Sequence, residues 1–106
     1  MTAINRRKAW AALHRQRRGY ARWVRQQERH VAACHRSYMR AYENLNMAGA
    51  WVHSARHEHE REHLRVLRDK LVELMAAKIG PGGVMVLRPV ESDTHYRRLL
   101  KRGMGL

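Results

Sequence analysis

From about Ile4 to Leu45 the apolar positions recur at steps of three, four and seven: Trp10, Leu13, Tyr20, Val24, Val31, Cys34, Tyr38, Ala41 and Leu45. Arg17 and Gln27 occupy the two places where this register wants an apolar residue. The period is helical, it holds for five heptads, and no proline interrupts it. It predicts one helix over about 4–45, roughly 60 Å long at 1.5 Å per residue. Gly19 is the one glycine inside it and a candidate kink, since glycine costs about 1 kcal/mol against alanine in a helix interior.

Asn44, Asn46 and Gly49 mark a break, with Asn46 a candidate N-cap for a second helix over about 47–79. Gly80-Pro81-Gly82-Gly83 then ends it, because that run cannot continue a helix. Leu64, Leu67, Leu71 and Leu74 form its apolar stripe. Continued upstream, the same stripe lands on Glu60, His57 and His53, so the first half of this helix lacks an apolar face. Two helices joined by a short break should fold back antiparallel, which makes residues 1–79 a helical hairpin.

The remaining residues, 80–106, read differently. Val84, Met85, Val86 and Leu87 are β-prone and precede Arg88-Pro89, which favours an extended arm. Ser92 or Asp93 caps a short helix over His95–Lys101, and Gly103 stops it. The expected class is all-α: a long antiparallel helical hairpin, then a loop, an extended arm and a short C-terminal helix.

Charge separates the two long helices. Residues 1–42 hold 11 Lys and Arg against Glu28 alone, a net +10; residues 43–79 hold six of each sign; residues 80–106 are net +3. The first helix is therefore the electrostatic one. Arg15, Arg18, Arg22, Arg25, Arg29, Arg36 and Arg40 also step by threes, fours and one seven, and Lys8 extends the row backward. Several stand two residues from the apolar stripe, about 200° around the helix, so the cations form a ridge opposite it. From Arg15 to Arg40 that ridge spans roughly 38 Å.

A ridge of closely spaced permanent cations suits a phosphate backbone, and guanidinium forks bond phosphate oxygens bidentately. Eighteen of the 22 cations are Arg, a bias that solubility alone does not require. Trp10, Tyr20 and Trp23 are interleaved with the ridge and are candidates for stacking on bases, although packing against the second helix is the commoner use of such aromatics. The competing partners for the ridge are an acidic protein and an anionic membrane surface. A membrane-surface helix wants a broader and bulkier apolar face than this one.

Composition narrows the class further. Leu, Ile, Val and Phe make up 20 of 106 residues, Phe is absent, and the net charge is +13. Chains of this kind do not bury enough apolar surface to fold well alone. This argues against an enzyme with a deep apolar pocket and for a chain ordered against something acidic, not a stable isolated monomer. Cys34 is the single cysteine, which excludes an internal disulfide and a four-thiolate zinc site; its place in the apolar stripe makes it a small buried hydrophobe. No apolar run approaches the roughly 18 residues of a spanning helix. The Arg-rich, acid-poor opening resembles a mitochondrial targeting helix, and a basic RNA-binding helix has the same composition.

One segment carries a metal-like pattern. His53, His57, His59 and His63 include two i,i+4 pairs, and residues 59–63 read His-Glu-Arg-Glu-His, the zinc-peptidase spacing with Glu60 as general base. Four His and three Glu in eleven residues make a chance match cheap, and no third ligand or supporting domain is evident. Catalysis is not expected, nor is a cofactor; His59 and His63 stand only as an alternative metal pair.

These readings predict a non-catalytic structural RNA-binding component of a large ribonucleoprotein, most readily a ribosomal protein neutralising rRNA phosphates beside neighbouring proteins. No helix-turn-helix, zinc-finger or zipper pattern favours DNA. The expected location is mitochondrial, with the cytoplasm as the alternative. The rival class is a protein-interaction or scaffold subunit of a large organellar or viral assembly without nucleic acid.

Overall fold

A computed structural model describes residues 3–106. Its elements run α1 (Ala3–Glu43), α2 (Met47–Ala76), β1 (Lys78–Ile79), a 3₁₀ turn at Pro81–Gly83, β2 (Met85–Val86) and α3 (Asp93–Gly103). The class is all-α, and each part of α1 packs on the part of α2 in its own unit. Met1 and Thr2, the first residues of the expected hairpin and of its targeting-like opening, lie outside the described residues. α1 continues through Gly19 as one element. The packing forms two compact units: α1 up to Arg22 with Arg68–Leu106, and Trp23–Leu67.

In the first unit Leu13 on α1 packs with Leu74, Ala77 and Ile79, and Ala9, Trp10 and Tyr20 close over that cluster. A second cluster joins Val72 and Ala76 of α2 to Leu99 of α3. The Tyr96 hydroxyl donates to Asp69 Oδ1 at 2.7 Å, which ties α3 to α2 by a directional bond as well as by burial. Gly103 allows the close approach here: a Cβ on it would stand 3.1 Å from both Leu71 and Met75 side-chain carbons.

The second helix stops three residues earlier than its stripe suggests. Lys78 and Ile79 leave the helix and pair antiparallel with Val86 and Met85. The β-prone run is therefore extended as expected, but β2 is one side of a small hairpin instead of a free arm. Two causes combine. Gly80-Pro81-Gly82-Gly83 supplies the tight turn, with Gly83 at φ +75°, and Gly80 N–H donates to the Val84 carbonyl at 2.8 Å. Ile79, 3% exposed, gains more by reaching Leu13 than by prolonging α2. α3 runs from Asp93 to Gly103, longer than the predicted 95–101, with Ser92 Oγ accepting from His95 N–H as its N-cap.

In the second unit Gln27 of α1 reaches Glu60 of α2, and eight residues further along α1 the His35 ring meets that of His57, so the two segments run antiparallel. Val24, Cys34, Ala41, Ala50, Leu64 and Leu67 are its buried apolar residues. Asn46 caps α2 by accepting the Gly49 N–H at 3.0 Å. Leu45 makes the turn at φ 58°, a left-handed conformation that non-glycine residues pay for.

Candidate nucleic-acid interface

α1 sorts its residues by face. In the first unit Lys8, Arg15, Arg18 and Arg22 are exposed, and the three arginines fall within roughly 60° of the helix circumference at 100° per residue. Leu13, 2% exposed, lies on the opposite side with half-buried Tyr20. In the second unit Arg25, Arg29, Arg36 and Arg40 are exposed and again fall within roughly 60°, opposite Val24, Gln27 and Cys34. Among the described residues, Arg15, Arg18, Arg22, Arg29, Arg36 and Arg40 form no ion pair with a carboxylate. The sequence explains this: Glu28 and Glu43 are the only acids on α1.

Arg17 is a different residue from its neighbours. It sits in the apolar register, half-buried, and its Nε donates to the Leu74 carbonyl at 2.9 Å while Nη2 donates to the Ala77 carbonyl at 2.8 Å. These carbonyls lie at the C-terminal end of α2, the negative end of the helix dipole, and that of Leu74 also accepts the Ala77 N–H at 3.3 Å. The guanidinium also lies 5.9 Å from the centre of the Trp10 ring. Burial, and then the charge of Arg102, lowers its pKa from the usual guanidinium value.

The three aromatic candidates separate. Trp10 is half-buried, stacked on His14 with ring centroids 5.7 Å apart, and packed on the Leu13 cluster. Tyr20 is half-buried on the same cluster. Trp23 is 56% exposed. It borders a cavity of about 340 Å³ in the second unit, lined also by Gln26, Gln27, His30, His63 and Leu67. The cavity joins residues 33 or more positions apart in sequence, so no local motif announces it. The available signal was Gln27, a polar residue on the buried face.

The histidine segment divides likewise. His53, His57 and Glu60, the polar continuation of the leucine stripe, are half-buried, whereas His59 and His63 are exposed. Gln27 Nε2 donates to the Glu60 carboxylate at 2.7 Å, and His30 Nε2 stands 3.5 Å from the same oxygen. The Gln27 bond chiefly, with His30, His59 and His63, holds the Glu60 carboxyl below its usual value. Burial, then His35 and Arg61, lowers His57. Among the described residues no three His, Cys, Asp or Glu side chains gather into a metal site.

Further along α2, Arg65 pairs with Glu62 through Nε and Nη2, and Lys70 lies 3.6 Å from Glu73. Arg65 and Lys70 of α2 therefore have carboxylate partners that most of the α1 ridge lacks. No described helix is long and apolar enough to cross a membrane. Comparison with known proteins finds no matching family model, no matching curated protein and no matching solved structure.

Proposed function

We propose that this chain is a non-catalytic RNA-binding component of a large ribonucleoprotein, with ribosomal RNA its favoured partner and the mitochondrion its favoured location. The observation that carries this reading is the row of exposed cations on α1 in each unit, Lys8, Arg15, Arg18 and Arg22 in the first and Arg25, Arg29, Arg36 and Arg40 in the second, each set opposite its own unit's buried face and with little carboxylate to answer it. Such a surface repels itself until an anion neutralises it, and a polyphosphate backbone supplies anions at close spacing. Arg supports RNA over a merely soluble face, because its fork bonds two phosphate oxygens at once.

A second reading, a scaffold subunit contacting proteins alone, draws on the turn between α1 and α2. Tyr42, Leu45, Met47, Trp51 and Val52 are exposed there, Leu45 at 83%. Leu45 holds a left-handed backbone that Gly or Asn would hold at lower cost, which suits a side chain kept for contact. In a ribonucleoprotein the same tip faces neighbouring proteins, so it supplements the ridge.

The deciding experiment is RNA binding by the purified chain across a salt series, followed by nuclease treatment of the native assembly. Affinity falling linearly in log–log form, and release by nuclease, support the RNA reading. Association that survives nuclease replaces it with the protein-only one.

A further inference from the structure

We propose that the cavity beside Trp23 in the second unit receives one unpaired nucleobase of the RNA whose phosphates lie on the neighbouring arginines. This rests on the RNA reading above and assigns it a second kind of contact.

The lining sets the class of ligand. At about 340 Å³ the cavity sits near the lower end of the roughly 300–1,000 Å³ range of small-molecule sites, which is room for one planar heterocycle. None of its lining side chains is a guanidinium or an ammonium, so it is not built for the phosphate itself. Trp23 offers an indole and His30 and His63 offer imidazoles, the flat surfaces on which bases stack. Gln26 offers an amide with donors and an acceptor, and Gln27, whose two N–H groups go to Glu60, offers its carbonyl oxygen as an acceptor, which together suit the mixed edge of a base. Leu67, 8% exposed, gives an apolar wall.

The wall is held in place before any ligand arrives. Gln27 is 9% exposed, and its Nε2 is tied both to the Glu60 carbonyl at 3.0 Å and to the Glu60 carboxylate at 2.7 Å. His30 lies 3.5 Å from that carboxylate, so the acid bound to these two lining residues is already engaged. The ridge is adjacent: Gln26 precedes Arg29 by three residues on α1, the spacing at which side chains are surface neighbours. A base seated by Trp23 therefore leaves its phosphate on the Arg29 side.

The test uses the full chain and two labelled RNA hairpins of equal length, one with unpaired loop adenosines and one with abasic loop positions, read by fluorescence anisotropy. The wild-type chain binds the base-bearing loop tighter by roughly 5- to 150-fold, the range for stacking one base on one aromatic. Trp23→Ala abolishes that preference without altering affinity for the abasic hairpin or its salt slope, and Trp23→Phe keeps most of it. If Trp23→Ala weakens both RNAs equally, the side chain acts through the fold and the inference is overturned. If the wild-type chain binds both hairpins equally with a steep salt slope, the cavity inference is overturned while the phosphate reading stands. If neither hairpin binds, the RNA reading fails and the cavity inference fails with it.

Discussion

The carboxamide of Gln27 donates to the Glu60 backbone carbonyl at 3.0 Å and to the Glu60 carboxylate at 2.7 Å, at a buried position of α1 where the register wants an apolar residue. Removing one partner of a buried bond costs more than removing both. Gln27→Ala should destabilise the chain by about 1–3 kcal/mol. Gln27→Leu should cost less, because it restores the apolar register, and Gln27→Leu with Glu60→Leu should recover most of the loss. Urea unfolding followed by circular dichroism, at a salt concentration that keeps the chain helical, measures all three. Wild-type stability for Gln27→Ala would show that the bond contributes nothing.

Acid should loosen the second unit in two steps. His57 has a folded value below the ordinary 6.5, so between the two values the unfolded chain binds more protons. Stability therefore falls as pH drops below 6.5 and levels off beneath the folded value. Glu60 also lies below its ordinary 4.5, and its contribution is present above that value and lost as pH falls through the lower, folded one. Thermal melts across pH should lose the upper step in His57→Gln and the lower step in Glu60→Gln. Retention of both steps in both variants would assign the pH dependence to other groups.

Arg17 should behave as a structural cation. Arg17→Met takes both guanidinium bonds away, leaving the Leu74 carbonyl only the Ala77 N–H, and should cost about 1–3 kcal/mol. Arg17→Lys should recover little, because one ammonium cannot reproduce two fixed N–H directions. Neither variant should change the salt slope of RNA binding, measured at a temperature where both remain folded. A reduced slope would place Arg17 on the phosphates instead.

The hairpin was legible because its signals are local. The three–four spacing of Leu64, Leu67, Leu71 and Leu74 marks residues that are all buried, and Asn46 caps α2 from a position the sequence already marks. The polar continuation of that stripe was legible as a pattern but not as a structure. Glu60 and His57 sit on the packed face because Gln27 and His35 meet them, and such pairs 22 to 33 residues apart leave no spacing rule. The β1–β2 pair was missed for a related reason. Strand character at Val84–Leu87 is readable, but its partner Lys78–Ile79 continues the helical period and is claimed by tertiary packing against Leu13. The arginine ridge was readable as a face; the separate role of Arg17 needed the carbonyls of α2.

The isolated chain should be only partly helical at low salt. Its net charge of +13 opposes compaction, and its two units rest on small cores rich in Ala. Far-ultraviolet circular dichroism should show helicity rising as salt or a polyanion is added. A cooperative melt from a fully helical state at low salt would mean that the helix pairing outweighs the self-repulsion.

Neutralising the ridge should change affinity and salt dependence together. Arg18 and Arg36 are exposed, lie in different units and form no ion pair among the described residues. If each touches one phosphate, Arg18→Gln with Arg36→Gln should lower the slope of log affinity against log salt by about 1.4–1.8, since each lost contact removes 0.7–0.9. The loss should be nearly the same for RNAs of different sequence, because phosphates carry no sequence information. Arg61→Gln with Arg65→Gln removes the same formal charge and should matter less: Arg65 is paired with Glu62, and α2 carries five acids against five cations. Charge alone would make the two double variants equal; an RNA backbone along α1 makes only the first costly. If instead one arginine accounts for nearly all of the loss and the slope stays fixed, the ridge carries a protein hot spot, and an acidic protein surface takes the place of RNA.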